Sequence, residues 1–176
     1  MIIDPARRPA RETIAALLLA AATTVTAIGF NTWAAGGADA SGYASQAELW
    51  LHGRLTVSQP LAADAPWPDP SWTFSPLGYR PGLAAATVVP TYPPGLPLTI
   101  AAARLSGSRT ATYVVVPFLA GVAVLATFLL GRATGGPGPG LLAATCLALS
   151  PIFLRQSTQV MSDVPSAAWW TLSMAL

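Results

Sequence analysis

Long uncharged apolar runs alternate along this chain with polar stretches punctuated by proline and glycine. Thr13–Trp33 carries no charge and is long enough to span a hydrocarbon core, which takes about 20 apolar residues. Arg7, Arg8 and Arg11 precede it and predict a cytoplasmic N-terminus. A basic start, an apolar middle and the small residues at 34–38 also fit a signal peptide, but the run exceeds a usual signal core and further spans follow. Residues 35–110 then read as one long extracytoplasmic loop. Within it, Ser45-Gln46-Ala47-Glu48 has a capping-box pattern. From Tyr43 onward, Ala47, Trp50 and Leu51 fall on one face and Ser45, Glu48 and His52 on the other, predicting a short amphipathic helix that Gly53 ends.

Residues 58–82 are rich in proline and also hold Trp67, Trp72, Phe74 and Tyr79, which predicts an ordered loop at the membrane interface without a regular element. Leu98–Leu105 is apolar but too short to cross and predicts a juxtamembrane or re-entrant helix. A second span is expected over 111–131, a glycine-rich cytoplasmic turn over 135–140, and a third, shorter span over 140–154 that contains Ser150-Pro151. A fourth starts near Pro165 and is cut off at 176. The expectation is an all-α integral membrane fold. It has about four transmembrane helices and juxtamembrane amphipathic helices, and forms the N-terminal part (1–176) of a single multi-helix membrane domain.

Composition sharpens that class. Only 9% of the 176 residues are charged and 53% are apolar, against about 25% charged in a soluble domain. The nine basic residues are all Arg and scattered without a basic stripe, which argues against a nucleic-acid partner. The single Cys146 cannot form an internal disulfide, and the lone His52 cannot build a histidine metal site.

With so few charges, two acids at the ends of apolar segments stand out. Asp39, in Gly37-Ala38-Asp39-Ala40-Ser41-Gly42-Tyr43, is either a helix N-cap or a general base at the membrane surface. Asp163, followed by Val164-Pro165, has the same two readings, and the following proline favours the cap. Counting crossings puts both on the extracytoplasmic side. Arg80, Arg104 and Arg109 lie in the external loop, where Arg binds phosphate or snorkels to the interface; snorkelling is the stronger reading for Arg104 and Arg109. Glu48 reads as a solvated or capping residue and His52 as a partner of the helix C-terminus. Residues 135–140 lack the Lys-Ser/Thr of a phosphate-binding loop.

An N-terminal span, an Asp with Gly42-Tyr43 close behind, and an amphipathic helix ending in Gly53 resemble the opening of the GT-C glycosyltransferases. The resemblance is to the branch that holds protein O-mannosyltransferases and aminoarabinose transferases. Thr91-Tyr92-Pro93-Pro94-Gly95 resembles that group's Tyr-Pro-Pro-Gly segment, and Ser162-Asp163-Val164-Pro165 its later Asp-Pro segment, in the expected order. The resemblance implies a multi-helix membrane enzyme that moves a sugar from a polyprenyl-phosphate donor to a lipid, glycan or protein acceptor on the extracytoplasmic face. It also implies a place in a bacterial plasma membrane. Asp39 and Asp163 would be the catalytic carboxylates, with Tyr43, Arg80, Tyr92, Pro93 and Pro94 binding substrate.

Two departures concern the cofactor. Ala38 and Ala40 flank Asp39 where the group often has a second acid, and Thr91 and Tyr92 stand where some members carry a metal-binding Glu. A divalent metal is therefore allowed, without a clear ligand set behind it. The rival function is a non-catalytic membrane protein, a transporter half or structural subunit with a proline-rich loop; transporters hold their acids near the bilayer midplane.

Overall fold

The computed structural model describes residues 11–176; Arg7 and Arg8 lie outside them. Nine helices and three short strands are described, and their contacts divide into two compact units.

The first unit holds α1 (Arg11–Gly29), most of α6 (Ala111–Gly135), α7 (Pro137–Ala148), α8 (Pro151–Ser157) and α9 (Asp163–Ala175). Its core combines large side chains of α6, such as Phe128, Val116 and Val124, with small residues on α1 and α7. On α1 the buried positions are Ala16, Ala20, Thr23 and Ala27, while Leu17, Leu18 and Val25 point outward. On α7 the buried positions are Gly140, Ala144 and Ala148, one every fourth residue. Helices in lipid gain little by hiding leucine from other apolar groups, so close backbone approach through small residues drives their packing. Glycines set that approach. A Cβ on Gly140 would meet Phe128 O and Arg132 N of α6 at 2.7 Å, and one on Gly121 would strike Ala20 and Thr24 of α1.

Helices α1 and α6 are long and apolar enough to cross a membrane, with mean hydropathies of 1.6 and 2.5. The expected third span is instead a broken pair. Helices α7 and α8 meet at 65°, because Pro151 has no amide hydrogen to continue the ladder and disfavours helical backbone at Ser150. Ser150 begins α8 as its N-cap, accepting from the Phe153 amide. Counted as one crossing, the pair gives three spans among the described residues. The expected fourth falls on α9, of which 13 residues are described. The expected turn over 135–140 shrinks to Gly136 at φ 94°, with Pro137 opening α7, a first-turn position that suits proline's fixed φ.

The second unit, residues 32–115 with 159–161, is the loop between α1 and α6. It holds α2 (Gly37–Leu51), α3 (Leu61–Asp64), α4 (Pro70–Thr73) and α5 (Gly95–Arg104). Strands β1 (Val57–Ser58), β2 (Tyr79–Pro81) and β3 (Thr87–Pro90) form an antiparallel sheet in the order β1-β3-β2. That sheet corrects the expectation of a loop without regular elements. Its prolines stand at strand ends, where a missing donor costs least. Helix α5 packs on α2 through the buried Leu96, Pro97 and Ile100, and is too short to span, as its length predicts.

Candidate active site

Helix α2 begins nine residues earlier than the Ser45 capping pattern predicts, with Gly36 rather than Ser45 as its N-cap. Gly36 is the N-cap in extended backbone, and Gly37 takes φ 82°, a conformation that costs glycine little. Asp39 therefore sits in the first turn rather than at the cap, where its negative charge meets the positive end of the helix dipole. Ser45 lies mid-helix, donating to the Gly42 carbonyl and sharing a 2.6 Å hydrogen bond with the Tyr79 hydroxyl. No capping box forms. The amphipathic assignment holds, with Tyr43 and Ala47 buried and Ser45 and His52 exposed.

At 100° per residue, Asp39, Tyr43, Gln46 and Trp50 share one face of α2. The sheet delivers Tyr92 to that face. Tyr79 pairs with Pro90 across β2 and β3, and the Thr91 amide and hydroxyl both donate to the Gly78 carbonyl. Tyr92 then donates from its hydroxyl to Asp39 Oδ1 at 2.8 Å, and the Gln46 side-chain amide donates to the Tyr92 carbonyl at 3.3 Å. The Tyr43 ring packs on that of Tyr92 with centroids 4.6 Å apart. Two glycines admit the Tyr92 ring, since a Cβ on either Gly42 or Gly78 would overlap it.

The electrostatics follow from this packing. Burial, then the hydrogen bond and charge of Asp39, push the Tyr92 phenol up to about 12, so it stays a donor at physiological pH. Asp39 is solvent-exposed, and its Oδ2 has no side-chain partner among the described residues. The buried Gln46 Oε1 has no hydrogen-bond partner either. A cleft of about 770 Å³ runs along α2 past Ala38, Gly42, Ser45 and Glu48 to Leu77 and Tyr79, and Asp39 is not among its lining residues.

Three of the residues that the sequence singled out thus meet: Asp39, Tyr43 and Tyr92. Pro93 and Pro94 are exposed and form the stiff lead into α5. Arg80 is exposed on β2, in register with Val89, outside the Asp39–Tyr92 contact. Asp163 belongs to the first unit, as the exposed first residue of α9; Ser162 takes the N-cap position without a side-chain capping bond. Asp163 is not the cap its sequence suggests. Arg104 does not snorkel: it is largely buried and paired with Glu48, which His52 also approaches to 3.6 Å. The pairing within this cluster had no sequence signal beyond the glycines, whose need for Tyr92 only the fold reveals.

As a metal centre the cluster fits poorly. It offers one carboxylate, with an oxygen already holding a phenol proton, and no three His, Cys, Asp or Glu gather among the described residues. A carboxylate so oriented, with one oxygen open, is equipped to accept a proton.

Comparison with known proteins agrees with the membrane-enzyme reading. The model of the family described as "Oligosaccharyl transferase STT3, N-terminal" matches residues 68–166, more than half of the chain, starting after Asp39 and including Tyr92 and Asp163. No curated protein and no solved structure matches significantly. The matched family is a GT-C family, in keeping with the superfamily resemblance. The chain belongs to the STT3 oligosaccharyl transferase family of membrane glycosyltransferases.

Proposed function

We propose that this chain carries the acceptor-activating part of a membrane glycosyltransferase that draws its sugar from a polyprenyl-phosphate-linked donor. The observation that carries the proposal is the exposed Asp39 carboxylate, one oxygen held by Tyr92 and the other open to solvent. Asp39 Oδ2 takes the proton from the acceptor group as that group attacks the anomeric carbon. The bond from the anomeric carbon to the donor's phosphate oxygen breaks, and its electron pair leaves with the phosphate. Tyr92 fixes the carboxylate's orientation without competing for the proton, because its own phenol titrates near 12. Arg80 offsets charge on the departing phosphate, and Asp163 is the second carboxylate of the reaction. The acceptor is a lipid, glycan or protein group on the extracytoplasmic face of a bacterial plasma membrane.

The break between α7 and α8 is the one observation favouring a transporter, whose binding sites use discontinuous helices. Leu149 and Ser150, the residues at that break, carry no charge to bind a coupling ion. The test is transfer of labelled sugar by the intact protein in membranes. Transfer is expected from polyprenyl-phosphate or polyprenyl-diphosphate donors and none from nucleotide sugars. Transfer from nucleotide sugars, or from neither class of donor, overturns the proposal.

A further inference from the structure

Glu48 lies nine residues after Asp39, on the opposite face of α2. There a second cleft, of about 270 Å³, is lined by Ala44, Glu48, Arg104, Arg109, Thr112 and Tyr113. We infer that this cleft binds the phosphate of a membrane lipid. Four observations point there.

The first is charge. Glu48 is matched by Arg104, which is 13% exposed, whereas Arg109 makes no ion pair among the described residues. The cleft is thus one negative charge short of neutrality, the amount a phosphate diester carries, and a guanidinium matches phosphate geometry in two parallel hydrogen bonds. The second is an unused donor. Thr112 is 5% exposed and lines the cleft, yet its hydroxyl makes no hydrogen bond among the described residues. That hydroxyl is free to donate to a phosphate oxygen in the cleft.

The third observation is the helix terminus. Thr112 and Tyr113 occupy the first turn of the 25-residue α6, whose positive dipole end favours an anion. The fourth is depth. The apolar run of α6 starts at Val114, and exposed Leu98 and Leu105 flank the end of α5. A group at the mouth of a spanning helix lies where lipid phosphates lie, which favours a lipid over a soluble anion. Glu48 remains in the cleft and repels a second negative charge, so the site suits a monoanion.

Two lipids supply this chemistry, the bulk anionic phospholipid and the polyprenyl carrier. The intact protein, purified in detergent, is titrated with phosphatidylglycerol, with polyprenyl monophosphate and with inorganic phosphate, and binding is read by native mass spectrometry. At least one lipid is expected to bind, at least tenfold more weakly to Arg109→Gln and Thr112→Val, with Arg109→Lys restoring part of the loss. The lipid preferred identifies the source. Asp39→Asn should bind as the parent does, which separates this site from the transfer reaction. Equal lipid binding by the parent and Arg109→Gln overturns the inference, as does binding of inorganic phosphate alone. Arg109 is exposed, so its replacement leaves the fold intact, and an unchanged thermal midpoint verifies that.

Discussion

Gly42→Ala should destabilise α2 in the presence of Tyr92 and stabilise it in its absence. In a helix interior, alanine is better than glycine by about 1 kcal/mol. Here the new Cβ overlaps the Tyr92 ring, which the neighbouring Gly78 keeps from moving aside. Overpacking of this kind costs about 1–3 kcal/mol. Displacing the ring also breaks the Tyr92–Asp39 hydrogen bond, worth about 1 kcal/mol for an exposed pair. The balance is a net loss of about 1–3 kcal/mol once the propensity gain is subtracted. In a Tyr92→Ala background the overlap and the hydrogen bond are both absent, and the same substitution should gain about 1 kcal/mol. Hydrogen exchange of the α2 amides reports the local opening free energy directly. The reasoning is refuted if Gly42→Ala leaves those amides equally or better protected while Tyr92 is present.

Ultraviolet titration should find one tyrosine ionising near 12, and Asp39→Asn should lower that value while leaving it above 10, because burial is the larger cause. A raised folded pKa gives stability that is complete below pH 10 and lost as pH rises through 12. An alkaline unfolding curve flat across that window contradicts the assignment. Glu48→Gln leaves Arg104 largely buried without its partner and should cost about 1–2 kcal/mol, between the values for exposed and buried pairs. Thermal unfolding of the single and double variants with Arg104→Gln measures the coupling, and a coupling of zero would show that the pair contributes nothing. Gly140→Ala should lower the unfolding midpoint more than Gly138→Ala, since its Cβ meets the backbone of α6 and that of Gly138 meets nothing. Equal midpoints would rule out the close α6–α7 approach.

Helices α1 and α6 were legible because a bilayer demands length and apolarity, both one-dimensional properties. Their internal packing was legible in part: the alanine stripe on α1 is visible as a pattern, but the small-residue stripe on α7 began in residues that read as a turn. Gly-Pro-Gly-Pro punctuates a loop in most contexts, yet Pro137 at a first helical position preorganises the helix that follows. The Ser45–Glu48 pattern misled because a capping box is a local signal, and the helix had started earlier at glycines that local rules rank as weak starters. Arg104 was misplaced for a tertiary reason. Its partner Glu48 lies 56 residues away, a distance no spacing rule spans. The meeting of Asp39 with Tyr92 likewise needed the β2–β3 register, which nothing in the proline-rich segment announces.

The central claim is that the open oxygen of Asp39 accepts the acceptor's proton. Sugar transfer by Asp39→Asn and Asp39→Glu, measured in membranes at saturating donor with protein levels matched, tests it most directly. Asparagine keeps the Tyr92 hydrogen bond but cannot take a proton, so kcat should fall about 10²–10⁴-fold, with glutamate restoring part of the rate. Transfer by Asp39→Asn at the parent rate would contradict the account and leave Asp39 as a residue that only steadies the start of α2.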